Sequence, residues 1–74
     1  GLWVEGIEPG TLAAEAGVKR GDLLVEIDGK PIFEGQDVSD ALAERGEFDE
    51  LRLLVIGRRG DRRELIWQPP SEIR

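Results

Sequence analysis

Leu2, Trp3, Val4 and Ile7 open the chain as an apolar, partly β-branched run that predicts a strand over residues 1–7. Pro9-Gly10 ends it. Thr11 is placed as the N-cap of a short helix over Leu12–Ala16, its hydroxyl able to accept from an exposed amide of the first turn. Gly17 stops that helix in a left-handed conformation that only glycine adopts without cost. A helix of this length does not persist alone, so packing of Leu12, Ala13 and Ala16 must hold it. Alternation over residues 23–28 predicts a second strand, with Leu23, Val25 and Ile27 on one face and Leu24, Glu26 and Asp28 on the other. Asp28-Gly29 is a tight-turn signal leading into a very short strand over residues 31–33. Val38, Ala41 and Leu42 then repeat at i, i+3 and i+4, which predicts a half-buried helix over residues 36–45. Asp37 and the Glu34-Gly35 turn compete for its N-cap, and Gly46 is its expected stop. Residues 51–57 and 62–68 form a hairpin around Arg58-Arg59-Gly60-Asp61, and Gln68-Pro69-Pro70-Ser71 reads as an exit that cannot continue a ladder. About five strands and two short helices, with strands flanking rather than alternating with the helices, give an α+β fold: a small curled antiparallel sheet, or partial barrel, capped by the helices.

Composition narrows the chemistry more than the fold. At 74 residues the chain makes one small domain, expected over residues 1–70, with residues 71–74 beginning a linker or tail. A chain of this size buries only about 60% of its unfolded surface. Apolar content of 39% beside 35% charged residues is that of a folded globular chain. Sixteen acidic against ten basic residues give a net charge of −6, which argues against nucleic acid as a partner. Cysteine and histidine are both absent, which removes disulfides, thiolate metal sites and the commonest general base. No cofactor and no metal are implied.

Residues 8–18 (EPGTLAAEAGV), followed by Gly21-Asp22-Leu23-Leu24 and Asp28-Gly29-Lys30-Pro31-Ile32, resemble the signature of bacterial PDZ domains over nearly the whole chain, from about Val4 to Gln68. Leu12 stands where that family usually has proline, and Thr11 where it has serine. The resemblance is to the circularly permuted type found in HtrA-type serine proteases and site-2 zinc metalloproteases. It implies an extended peptide, usually a free C-terminus, added as a strand beside the second helix, with the terminal carboxylate held by a loop of successive amides. The last hairpin strand is then expected to take the place of the family's usual first strand.

Only seven residues separate Trp3 from Thr11, whereas a binding strand, a turn and a second strand need about 12. The carboxylate loop and its strand are therefore expected to lie outside this chain. On the second helix Gly35, Ser39 and Leu42 are expected to face the groove, with Val38 and Ala41 turned to the core. A shift of one position changes that division, and the candidate peptide-binding set is Gly35, Val38, Ser39 and Leu42. Gly10, Thr11, Gly17, Gly21, Asp22, Asp28 and Gly29 are assigned to turns and caps, Asp22 by accepting from local amides.

Other singular residues have plainer readings. Ser39 lacks a base to activate it and is no nucleophile. Arg58, Arg59, Arg62 and Arg63 are read as solvating a hairpin tip, with a weak surface contact to an anionic lipid or acidic partner as the alternative. Arg59-Gly60-Asp61 is read as turn chemistry. Trp3 and Trp67 are expected in the core or at a half-buried edge. Glu44, Glu47, Asp49 and Glu50 read as a solvated helix end. The chain is thus expected to be a non-catalytic peptide- or protein-binding module, the regulatory or substrate-recruiting domain of a bacterial protease of the cell envelope, periplasmic or membrane-anchored. The alternative is a structural docking or dimerisation domain whose groove is incomplete.

Overall fold

The computed structural model describes residues 1–46 and 49–69. Seven elements follow one another: β1 (Leu2–Trp3), α1 (Leu12–Ala16), β2 (Leu23–Ile27), β3 (Lys30–Pro31), α2 (Gly35–Glu44), β4 (Leu51–Ile56) and β5 (Arg62–Trp67). The strands form one antiparallel sheet in the order β1-β2-β4-β5, with the short β3 also paired to β2. This is the α+β arrangement expected from the pattern.

The core lies on one face of the sheet. Leu51, Leu53 and Val55 alternate inward along β4, with Leu51 and Val55 fully buried. Register places Leu53 opposite Ile27 and Val55 opposite Leu24, so these apolar side chains share a face. Ile32 and Ala41 cover the layer from the β3 and α2 sides.

Several local expectations are corrected. Strict alternation does not hold in β2, because Val25 is an extra residue between Leu24 and Glu26, a β-bulge. Leu24 and Ile27 consequently both reach the core, while Leu23 and Glu26 share the outer face. Val25 is still used, its carbonyl accepting from Ile32 N at 2.8 Å. The opening strand is Leu2–Trp3 rather than residues 1–7. Val4 remains bonded to residues 21 and 22, but Gly21 (φ +94°) turns the chain away there, and nothing extends the ladder. β3 sits one residue earlier than expected, so that Ile32 is buried and Phe33 is left 70% exposed.

α2 begins at Gly35, with Glu34 as N-cap. Asp37 Oδ2 accepts from both Phe33 N (2.8 Å) and Glu34 N (3.1 Å), so the two competing signals are two halves of one capping box. The helix ends without a left-handed glycine at position 46. Arg45 leaves in an extended conformation, its Nη1 donating to the carbonyls of Gly46 and Asp49, while Gly46 N donates to Asp49 Oδ2. In the acidic stretch expected there, Glu44 pairs with Lys30 and Glu50 with Arg52, while Glu47 lies outside the described residues. Residues 70–74, including the expected tail, also lie outside them.

Candidate functional site

Two concave surfaces are formed by elements that the chain's local chemistry fixes in place. The first is an apolar cleft of about 310 Å³. Its floor is the buried core layer itself, Leu24, Ile27, Leu51 and Leu53. One wall is Val38 and Leu42 of α2, and the other is Val4, Ile7 and Leu12 on the segment leading from β1 into α1.

α1 holds its wall because both ends are capped. Thr11 Oγ1 accepts from Ala14 N at 3.3 Å and donates to the Glu8 carbonyl at 2.8 Å. Gly17, at φ +99°, returns its amide to the last turn. Gly10 precedes the cap at φ +82°. α1 packs on β5, and the cleft opens between α2 and the sheet face. α2 is held instead by buried Ala41, by the Lys30–Glu44 ion pair and by Arg45, whose guanidinium lies 5.0 Å from the centre of the Trp67 ring.

Among the described residues β1 stands at the end of the strand order and pairs with β2 alone. Val4 directs both its backbone groups to residues 21 and 22. By the alternation of an antiparallel ladder, Trp3 and Glu5 therefore present their N–H and C=O groups on the opposite edge. An unpaired edge beside an apolar cleft is what strand addition requires.

Of the helix positions singled out in the sequence, Val38 and Leu42 line the cleft; Gly35 and Ser39 are exposed and do not. A helix turns about 100° per residue, so Val38 and Leu42, four apart, lie one above the other on the cleft face. Ser39 sits about 100° round from Val38, on the solvent side of Leu42. Val4, Ile7 and Leu12, which the cleft also uses, are legible in the sequence only as strand positions and a helix-packing position, not as a wall of the groove.

The second surface is a bowl of about 520 Å³ at one end of the sheet, where the loop from α1 to β2 meets the β4–β5 turn. Lys19, Arg20, Arg58, Arg59 and Arg63 line it, with Asp22 and Asp61. Asp22 is only 4% exposed. Its Oδ2 accepts from Lys19 N at 2.9 Å, the local capping expected of it, and also from Arg63 Nη2 at 2.5 Å, across 41 residues of sequence. Arg63 is therefore not a solvating side chain of the hairpin tip but half of an ion pair. Both loops carry Arg-Gly-Asp, and in each the glycine adopts positive φ, Gly21 at +94° and Gly60 at +83°. The tripeptide is turn chemistry in both places.

The remaining turn residues act at the opposite end. Asp28 (φ +50°) and Gly29 (φ +83°) make the tight β2–β3 turn, and Asp28 Oδ1 accepts from Arg52 N at 2.9 Å, fastening that turn to β4. Trp67 is half-buried, as expected. Trp3 is not: its pairing with Leu23 puts it on the face opposite the core, 65% exposed. Among the described residues no three His, Cys, Asp or Glu side chains are grouped to hold a metal, and no helix is long and apolar enough to cross a membrane.

Comparison with known proteins agrees with this geometry. The chain is 35% identical over all 74 residues to the putative serine protease HhoA of Synechocystis sp., and 38% identical over 73 residues (99% of the chain) to the serine protease HTRA1 of Xenopus tropicalis. It is 36% identical over 61 residues (82% of the chain) to the magnetosome formation protease MamE of Magnetospirillum gryphiswaldense. It spans only a small part of each relative, 18%, 15% and 8% of their lengths. The sequence profile described as PDZ domain matches residues 3–58. With a match over most of its length and a five-stranded sheet carrying two short helices, the chain belongs to the PDZ domain family.

Proposed function

We propose that this domain takes up an extended polypeptide segment along the cleft between β1 and α2. The segment's backbone bonds to the free edge, and its apolar side chains enter the space between Val38, Leu42, Val4 and Ile7. The observation that carries the reading is the coincidence of an unpaired strand edge with an apolar cleft walled by a helix face. Ladder hydrogen bonds give such an addition its affinity and the pocket gives it selectivity. Reversible binding in the micromolar range, about −8 kcal/mol, fits a site of this size. Gly35 and Ser39 are proposed to touch the segment only at the outer rim of α2. The carboxylate loop and its strand are proposed to come from polypeptide outside these 74 residues. That strand would pair with the same β1 edge and pass the ladder on to the segment, so direct pairing to β1 is the mode proposed for the 74 residues by themselves.

The protease names of the relatives support a finer setting, a regulatory or substrate-recruiting domain of a larger protease, for which we also propose a cell-envelope location. Titration of isotope-labelled chain with an apolar C-terminal peptide, free and amidated, tests the binding. Amide shifts at Val4, Ile7, Val38 and Leu42 are expected, and Leu42→Asp should abolish them. Shifts confined to other residues, or none, overturn the proposal, and a difference between the two peptide forms reports carboxylate capture.

A docking domain is the competing reading, since β5 as well as β1 ends the sheet with one side unpaired among the described residues. Concentration-dependent dimerisation in the ultracentrifuge, without peptide response, favours it.

A further inference from the structure

We infer that the end of the sheet carrying the basic bowl is an interfacial contact for an anionic lipid surface. Residues 19–22 and 58–63 hold six of the ten cationic side chains and two of the sixteen carboxylates. This end is therefore positive by about four charges inside a domain of net charge −6. One of those carboxylates, Asp22, is buried against Arg63 and turned away from solvent. Arg58 and Arg59 are exposed, and Arg58 lies over the Gly21 backbone, whose amide donates to Val4 beside Trp3.

Around the rim runs one register row of the outer sheet face. Trp3 pairs with Leu23, Leu23 with Ile56, and Ile56 with Arg62. Each of these residues ends or begins its strand at the bowl. Trp3 is the most exposed of the row's three apolar members, an indole left 65% open. Indole and guanidinium together are the side chains that settle at the headgroup level of a bilayer.

This pairing of an apolar row with cations selects the partner. Nucleic acid and acidic peptides would use the charges and leave the Trp3–Leu23–Ile56 row unserved. The chain outside this end is strongly acidic, so a polyanion that wrapped the domain would be repelled, whereas a planar surface meets one end alone. The next outer-face row, Glu26–Leu54–Glu64, bears carboxylates on both sides, which restricts the contact to an end-on approach.

Each basic residue near an anionic bilayer is worth about fivefold in partitioning. The 74-residue chain is therefore expected to co-sediment with vesicles of phosphatidylcholine containing about a third phosphatidylglycerol, in a salt-dependent manner. Arg58→Glu with Arg59→Glu should lower that partitioning at least 25-fold. Trp3→Ser should lower it several-fold while leaving the salt dependence unchanged. On vesicle addition the indole emission should shift to the blue, and Trp3→Phe should remove the shift, because half-buried Trp67 is not at the contact. All three sites are exposed, so circular dichroism of the variants should match the parent. Equal binding to pure phosphatidylcholine, no effect of charge reversal in a folded variant, or saturation by inorganic phosphate or a polyglutamate peptide without vesicle binding would each overturn the inference.

Discussion

Asp22 and Arg63 show how much one long-range pair contributes to so small a domain. Asp22 is nearly inaccessible, while the Arg63 side chain is about a third exposed, so the bond is charge-assisted but partly screened. Hydrogen bonds to charged groups contribute about 1.5–3 kcal/mol, and removing one buried partner leaves the other's desolvation uncompensated. Asp22→Ala is expected to lower the unfolding free energy by about 2 kcal/mol in urea titration, with Arg63→Met costing a similar amount and the double variant costing less than the sum. The sequence shows Asp22 as a turn aspartate and Arg63 as one of four hairpin arginines, and both descriptions are incomplete for the same reason. Local spacing reports which amides an aspartate can reach, whereas a partner 41 residues away is brought by strand register. Trp3 was misread on similar grounds: its hydrophobicity suggests burial, but its pairing with Leu23 decides which face it takes.

At the scale of elements, punctuation was the legible part. Thr11, Gly17, Asp28 and Gly29 occupy the conformations their residue types favour, and α1 has the expected bounds. Thr11→Ala should destabilise by about 1 kcal/mol and Gly17→Ala by about 1–2 kcal/mol, the latter because a Cβ at φ +99° is strained even where space is open. Thermal unfolding of the two variants checks both. What escaped the pattern was the bulge at Val25, because an alternating run of apolar and acidic residues looks the same whether or not one residue is set aside from the ladder. The consequence is large: the bulge moves Leu24 and Ile27 together onto the core face, where they become the floor of the cleft. Periodicity on α2 gives Val38, Ala41 and Leu42 as one apolar stripe, with Val38 assigned to the core, but which of them the cleft reaches depends on how the helix sits over the sheet, a tertiary quantity.

For the molecule as a whole, a PDZ domain is a non-catalytic interaction module, and this one concentrates its stability in a single apolar layer. Leu51 is fully buried at the start of β4 and also lies under the cleft. Leu51→Ala is expected to cost about 2–5 kcal/mol, a large fraction of what so small a domain has, and to leave the chain partly unfolded at room temperature by near-ultraviolet circular dichroism. Val38→Ala removes only half-buried surface and should cost about 1 kcal/mol while weakening peptide uptake, which separates the wall of the cleft from its foundation.

The indole of Trp67 ties three elements at one point. It belongs to β5, its Nε1 donates to Glu15 of α1 at 2.9 Å, and Arg45, the residue closing α2, rests on its ring. An incoming chain that pushes α2 outward must therefore lift a guanidinium off that ring. The domain thus carries its own optical gauge: with Trp3 replaced by phenylalanine, the remaining fluorophore would brighten or shift as the helix swings, and would stay silent for any guest that settles without parting the jaws.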